Sequence, residues 1–102
     1  SINMIHIASW ECTKSLFRES GKLLKNGRFL ILYGPFKINN EHTSESNALF
    51  DKSLKMQNWN WGVRNLEDVY EEGKKNGFTQ YDLIQMPANN YIVIFRKVSL
   101  RT

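Results

Sequence analysis

Arg28-Phe29-Leu30-Ile31-Leu32-Tyr33-Gly34-Pro35-Phe36 carries the strongest structural signal in the chain. From Phe29 to Tyr33 the residues are apolar without alternation. Such a run predicts a strand covered on both faces, the mark of a central strand in a mainly parallel α/β sheet. Gly34-Pro35 then breaks it sharply into a loop. Loops at the carboxyl ends of such strands are where α/β proteins bind ligands. Tyr33 and Phe36 are therefore candidate walls of a substrate pocket.

Before this strand, residues 3–8 are short and mostly apolar and read as the tail of a buried strand entering a turn. Ser9 can cap a following helix, with Glu11 favourable in its first turn. Cys12, Leu16, Phe17, Leu23 and Leu24 predict its apolar stripe, and Asn26-Gly27 a left-handed stop. After the strand, residues 37–43 read as a polar loop. Thr43 or Ser44 caps a second helix running to about Gln57, with Leu49, Phe50 and Leu54 inward. Residues 58–64 form a loop holding Trp59 and Trp61. Asn65 caps a third helix, whose Leu66, Val69, Tyr70 and Gly73 fall on one face. Gly73 suits close packing, and Asn76-Gly77 ends the helix. Phe78–Met86 reads as a strand, residues 87–90 as a turn, and residues 91–97 as a strand apolar on both faces. A short turn between two strands makes an antiparallel pair. The result is a mainly parallel sheet with an antiparallel last strand.

The 102 residues are 41% hydrophobic and 13% aromatic, enough for a packed core and too much for a disordered tail. The net charge of +4 is uneven: residues 1–40 hold six basic and two acidic residues, and residues 41–102 hold eight of each. A basic excess permits weak nucleic-acid contact. No nucleic-acid motif accompanies it, however, and the basic residues fall on solvated faces, so nucleic acid is not an expected partner. No apolar run approaches the ~20 residues of a membrane span, and no signal-peptide pattern opens the chain. The expectation is a soluble, cytoplasmic protein. His6, Cys12 and His42 are too few and too scattered for a zinc pattern, so no metal is expected. Cys12 falls on the apolar stripe, which leaves a Cys–His nucleophile pair without support.

Asn3-Met4-Ile5-His6-Ile7, Tyr33-Gly34-Pro35-Phe36, Ser46-Asn47, Phe50-Asp51, Trp61-Gly62-Val63-Arg64, Leu66-Glu67-Asp68 and Met86-Pro87-Ala88-Asn89-Asn90 together resemble one family. It is domain-of-unknown-function family 938, which includes the proteins called methyltransferase-like protein 26. Each motif is weak alone; their order and spacing cover nearly the whole chain. The resemblance implies the C-terminal half of a class I S-adenosylmethionine-dependent methyltransferase fold, Rossmann-like α/β, with the last strand inserted antiparallel between the fifth and sixth. It implies that residues 1–102 are the C-terminal part of a single domain whose N-terminal, cofactor-binding half is absent. The six glycines include no Gly-x-Gly pair and no strand–glycine-turn–helix unit. S-adenosylmethionine is accordingly expected in the full-length parent and not as a tight ligand of this fragment, which is expected to be inactive alone. The implied partners are the missing N-terminal half and an unidentified methyl acceptor. A non-enzymatic binding module is the alternative.

The resemblance also assigns candidate residues. In methyl transfer the cofactor carries the reactivity, and the protein aligns donor and acceptor. Asn3 and Met4 would meet the cofactor. His6, with an ordinary pKa near neutrality, would be a base or a polar wall. Tyr33, Phe36, Asn47, Asp51, Arg64, Asn89 and Asn90 would line the substrate side. Asn47 and Asp51, spaced i and i+4, share a helix face, and Arg64 can pair with Asp51 or bind an anionic group. Each has a plain structural counterpart: a satisfied histidine, a turn, a salt bridge. Trp59 and Trp61 would stack on a ligand or anchor their loop.

Overall fold

The computed structural model describes residues 5–25 and 27–98. Helix α1 (Trp10–Leu23) leads to strand β1 (Phe29–Gly34) and a small hairpin, β2 (Lys37–Ile38) with β3 (Glu41–His42). Helices α2 (Glu45–Gln57) and α3 (Leu66–Lys74) follow, then β4 (Phe78–Met86), a 3₁₀ turn at Pro87–Asn89, and β5 (Asn90–Lys97).

The main sheet has the order β1-β5-β4, and β5 runs antiparallel to both neighbours. β1 and β4 therefore point the same way, with the reversed last strand between them, as the family resemblance implied. The registers pair both Leu32 and Leu83 with Val93. Leu32, Val93 and Phe95 share one face, where they meet Phe17 of α1 and Leu66 and Val69 of α3 in a core that includes Phe36 and Phe78. Phe17 packs edge-on to both Phe78 and Phe95, with ring centroids 5.6 and 5.2 Å apart. A Cβ on Gly73 would lie 3.1 Å from the Phe17 ring, so the absent side chain is what lets α1 and α3 approach.

The expectation of strands covered on both faces is corrected. Phe29, Ile31 and Ile84, on the far side of the sheet, are 49, 42 and 44% exposed. Register puts Ile31 opposite Ile94, and both Tyr33 and Ile84 opposite Ile92, so this far face carries an apolar cluster, bordered by the Arg96–Asp82 ion pair. The packed residues of α1 and α3 lie on the other side, with the core.

Two helices bury other residues than their apolar spacing suggests. In α1, Thr13 and Phe17 are buried, Cys12 is exposed and Leu23 is 82% exposed. That helix stops at Leu23 because Leu24 is already extended; Gly27 is left-handed, as expected, but lies beyond the helix end. Lys97 caps the end by donating from Nζ to the carbonyls of Gly21 and Leu24. In α2, Leu54 points inward as expected, but Leu49 is 62% exposed, and the buried neighbours are Asn47 and Asp51. The expected polar loop at residues 37–43 is instead the β2–β3 hairpin. Asn39 and Asn40 both take positive φ (51° and 65°) at its turn, the pair of left-handed residues that a type I′ turn requires.

Candidate functional site

The polar residues named from sequence gather around the carboxyl end of β1. Ser44 caps α2 by accepting from the Asn47 N–H at 3.1 Å, and Asn47 and Asp51 lie on the buried face of that helix. Asn47 Nδ2 donates to Thr43 Oγ1 and, across the molecule, to the Asn89 carbonyl at 3.1 Å. The turn between β4 and β5 is thereby tied to α2. Asn90 Nδ2 reaches the Pro87 carbonyl at 3.5 Å and stays within that turn.

Asp51 is nearly buried. Its Oδ1 accepts from the Val63 N–H at 2.8 Å, and Oδ2 accepts from Lys55 Nζ at 2.9 Å and lies 3.4 Å from His42 Nε2. Burial alone would raise its pKa. The Lys55 and Val63 hydrogen bonds, with the positive field of Lys55 and His42, outweigh that and hold the carboxyl below its ordinary range. Gly62 sits so close that a Cβ there would lie 2.8 Å from Asp51 Oδ1.

Arg64 makes no ion pair with Asp51, which corrects that expectation. Its Nε donates to the Ile5 carbonyl at 3.0 Å, and Nη2 donates to the carbonyls of Ala8 and Asn60. Its guanidinium lies over the Trp10 ring, 5.6 Å from the centroid. Burial lowers its pKa, yet a guanidinium stays charged at any ordinary pH. Arg64 therefore ties the segment before α1 to the loop before α3.

His6 is fully buried, edge-on to Phe36 at 5.0 Å. Its Nδ1 accepts from the Arg64 N–H at 3.0 Å, so the neutral ring carries its proton on Nε2, which has no hydrogen-bond partner. Burial, then the Arg64 charge, lower its pKa to about 4; the Gly62 backbone and Asp51 pull the other way and do not prevail. So arranged, His6 offers no lone pair to a substrate, and the geometry of a general base is absent. Phe36 is buried in the core, whereas register sets Tyr33 on the opposite side of the sheet, so these two do not form one wall. Asn3 and Met4 lie outside the described residues.

A groove of about 510 Å³ opens beside this knot, between the start of α1, the loop at residues 58–65 and the flank of α3. All three tryptophans of the chain, Trp10, Trp59 and Trp61, line it, together with Lys37, Arg64 and Asp68. Of the predicted site residues that are described, Arg64 alone reaches it. Trp59 is 78% exposed and does not anchor its loop. Hydrogen bonds from the N–H groups of Gly62, Val63 and Arg64 to the His6 carbonyl, Asp51 and His6 Nδ1 do that. Sequence reasoning assigned no role to His42 or Trp10. His42 meets Asp51 and Trp10 meets Arg64 only in the folded chain; the Asn39-Asn40 turn was the one local cue that would have placed His42 on a strand.

Among the described residues no three His, Cys, Asp or Glu side chains cluster to hold a metal ion. Nor do the described residues include a glycine-rich strand-to-helix turn of the kind that holds S-adenosylmethionine. No described helix is long and apolar enough to cross a membrane.

A sheet with a reversed last strand between two like-directed strands, with α1 and α3 packed on one face, defines the class I methyltransferase fold, here in part. Within that fold class the chain belongs to the DUF938 family, described as a protein of unknown function, whose model matches residues 1–97. Solved structures agree on the fold. Human N-acetylserotonin methyltransferase in complex with SAM superposes with a TM-score of 0.80 at 14% identity, over 96% of this chain and 28% of that one. An O-methyltransferase family 2 protein from Planctomyces limnophilus, in complex with apigenin, gives 0.82 at 17% identity, over 96% and 30%. A putative O-methyltransferase from Nostoc punctiforme gives 0.81 at 15%, over 94% and 30%. The chain thus spans less than a third of the length of these similar structures.

Proposed function

We propose that this chain forms the acceptor-side portion of an S-adenosylmethionine-dependent methyltransferase domain and does not hold the cofactor by itself. The observation that carries the reading is the order β1-β5-β4 with β5 reversed, joined to an apolar far face of Phe29, Ile84, Ile92 and Ile94. An apolar sheet face of this kind suits a second layer of structure, and the similar solved structures have more than two thirds of their length outside the matched region. In the complete domain Asn3 and Met4 contact the cofactor, and Tyr33 and the turn at Asn89-Asn90 face the acceptor. Asn47, Asp51, Arg64 and His6 hold that end of the sheet in place rather than react.

Titration calorimetry with S-adenosylmethionine tests this. Binding heat is expected from the full-length protein and none from the 102 residues alone. Tight binding by the 102 residues would show the cofactor site to be misplaced, and no binding by the full-length protein would end the methyltransferase reading. In that last case the tryptophan-lined groove favours a module that binds another protein, since exposed indoles on a braced loop are frequent interface anchors.

A further inference from the structure

We propose that the tryptophan-lined groove is a binding site for a small aromatic carboxylate, with the open edge of the Arg64 guanidinium receiving its anionic group. This goes beyond the methyltransferase reading and stands whether or not that reading does.

Charge sets the sign of the ligand. Side chains of both signs line the groove, but most of them already answer one another. Lys55 donates to Asp51 at 2.9 Å, Lys75 donates to Glu72 at 3.1 Å, and Lys74 lies 2.8 Å from Glu71. Three lining charges have no ion pair among the described residues: Arg64, Lys37 and Asp68. Asp68 sits in the first turn of α3, where the partial positive charge of the helix end offsets part of its own. The unanswered charge is therefore positive, and it favours an anion.

Geometry sets where that anion goes. Nε and Nη2 of Arg64 are spent on the carbonyls of Ile5, Ala8 and Asn60, and the guanidinium lies over the Trp10 ring. The group is thus held still before a ligand arrives, so little freedom is lost on binding. Its last nitrogen, Nη1, makes no bond among the described residues and is not buried. The two N–H donors there suit a carboxylate oxygen.

The walls set the body of the ligand. A groove of about 510 Å³ is the size of a small-molecule site and far larger than a single ion needs. Trp59 is 78% exposed, and Trp61 lies two residues on, beside the stretch pinned by the Gly62, Val63 and Arg64 N–H groups. Indoles on a braced loop offer flat faces to a flat ring.

Proton–nitrogen correlation spectra of the full-length protein test this. The indole N–H resonances are assigned through single Trp→Phe variants, and 2-naphthoate is the probe. Acetate carries the charge without the rings, and 2-naphthylmethylammonium carries the rings with the opposite charge. The naphthoate should shift the Trp10 and Trp61 indole resonances saturably, and the two controls should not at the same concentrations. Lys37→Gln should weaken naphthoate binding by about threefold, and Asp68→Asn should tighten it by about as much. Arg64→Lys keeps the charge and loses the fork, and should weaken binding by about tenfold. Should Arg64→Lys fail to fold, the opposite signs at Lys37 and Asp68 still decide, because general loss of structure would weaken binding in both. No saturable shift with naphthoate would overturn the proposal, as would equal binding of the ammonium probe or weaker binding in Asp68→Asn. Cofactor calorimetry tests the methyltransferase reading separately, so the two can fail independently.

Discussion

His6 is where burial has its clearest chemical cost. The ring is neutral in the fold with a pKa of about 4, against an ordinary value of 6.5. Between those values the unfolded chain binds a proton that the folded chain refuses. Its contribution to stability is therefore complete above pH 6.5 and is lost as the pH falls toward 4, amounting to on the order of 3 kcal/mol. Urea unfolding of the wild type across this range should show that slope, and His6→Gln should flatten it. Asp51 adds to the acid sensitivity below the ordinary carboxylate range, because its folded pKa is also depressed. Gly62→Ala should destabilise by about 1–3 kcal/mol in the same measurement, since its Cβ would press on Asp51 Oδ1.

At the scale of elements, two turns carry left-handed residues with side chains. Ala88 sits at φ 62° in the turn before β5. Ala88→Gly should stabilise by roughly 0.5–1 kcal/mol, read as a higher thermal midpoint, because glycine meets no Cβ penalty there. Asn40→Gly at the β2–β3 turn should act in the same direction and more weakly, since asparagine already tolerates the region. These elements also mark what the chain made legible. The Phe78–Met86 strand, the Asn65 and Ser44 cap positions and the reversed last strand follow from local chemistry and motif order. Asn65, though at the cap position of α3, spends its Oδ1 on the Asn40 N–H of the hairpin, a contact 25 residues away that no local rule contains. The apolar run at β1 could not say what covers its second face, because periodicity records that a face is apolar and not which residues meet it. Likewise Asn47, Asp51 and Arg64 were legible as a polar group near the site. Whether they bond a ligand or the chain's own carbonyls depends on distances that spacing does not encode.

For the molecule as a whole, two faces of one sheet behave differently. The helix-covered face should respond to truncation as a closed core does: Phe17→Ala should cost about 3–5 kcal/mol, because its ring touches both Phe78 and Phe95. The far face should instead govern association. Sedimentation of the 102-residue chain should show concentration-dependent self-association, and Ile84→Lys should reduce it without lowering stability comparably. Equal monomer behaviour of both chains at high concentration would contradict that view of the face.

The gathering of Trp10, Trp59 and Trp61 at one groove gives the chain a built-in optical reporter. Light absorbed at the red edge of the ultraviolet band is taken up by indole and not by the four tyrosines. Emission then reports the braced loop and the start of α1, while circular dichroism reports helix and sheet. If the loop detaches before the sheet melts, the emission transition should precede the dichroic one, and the gap between them would measure how much of the site's order is independent of the fold beneath it.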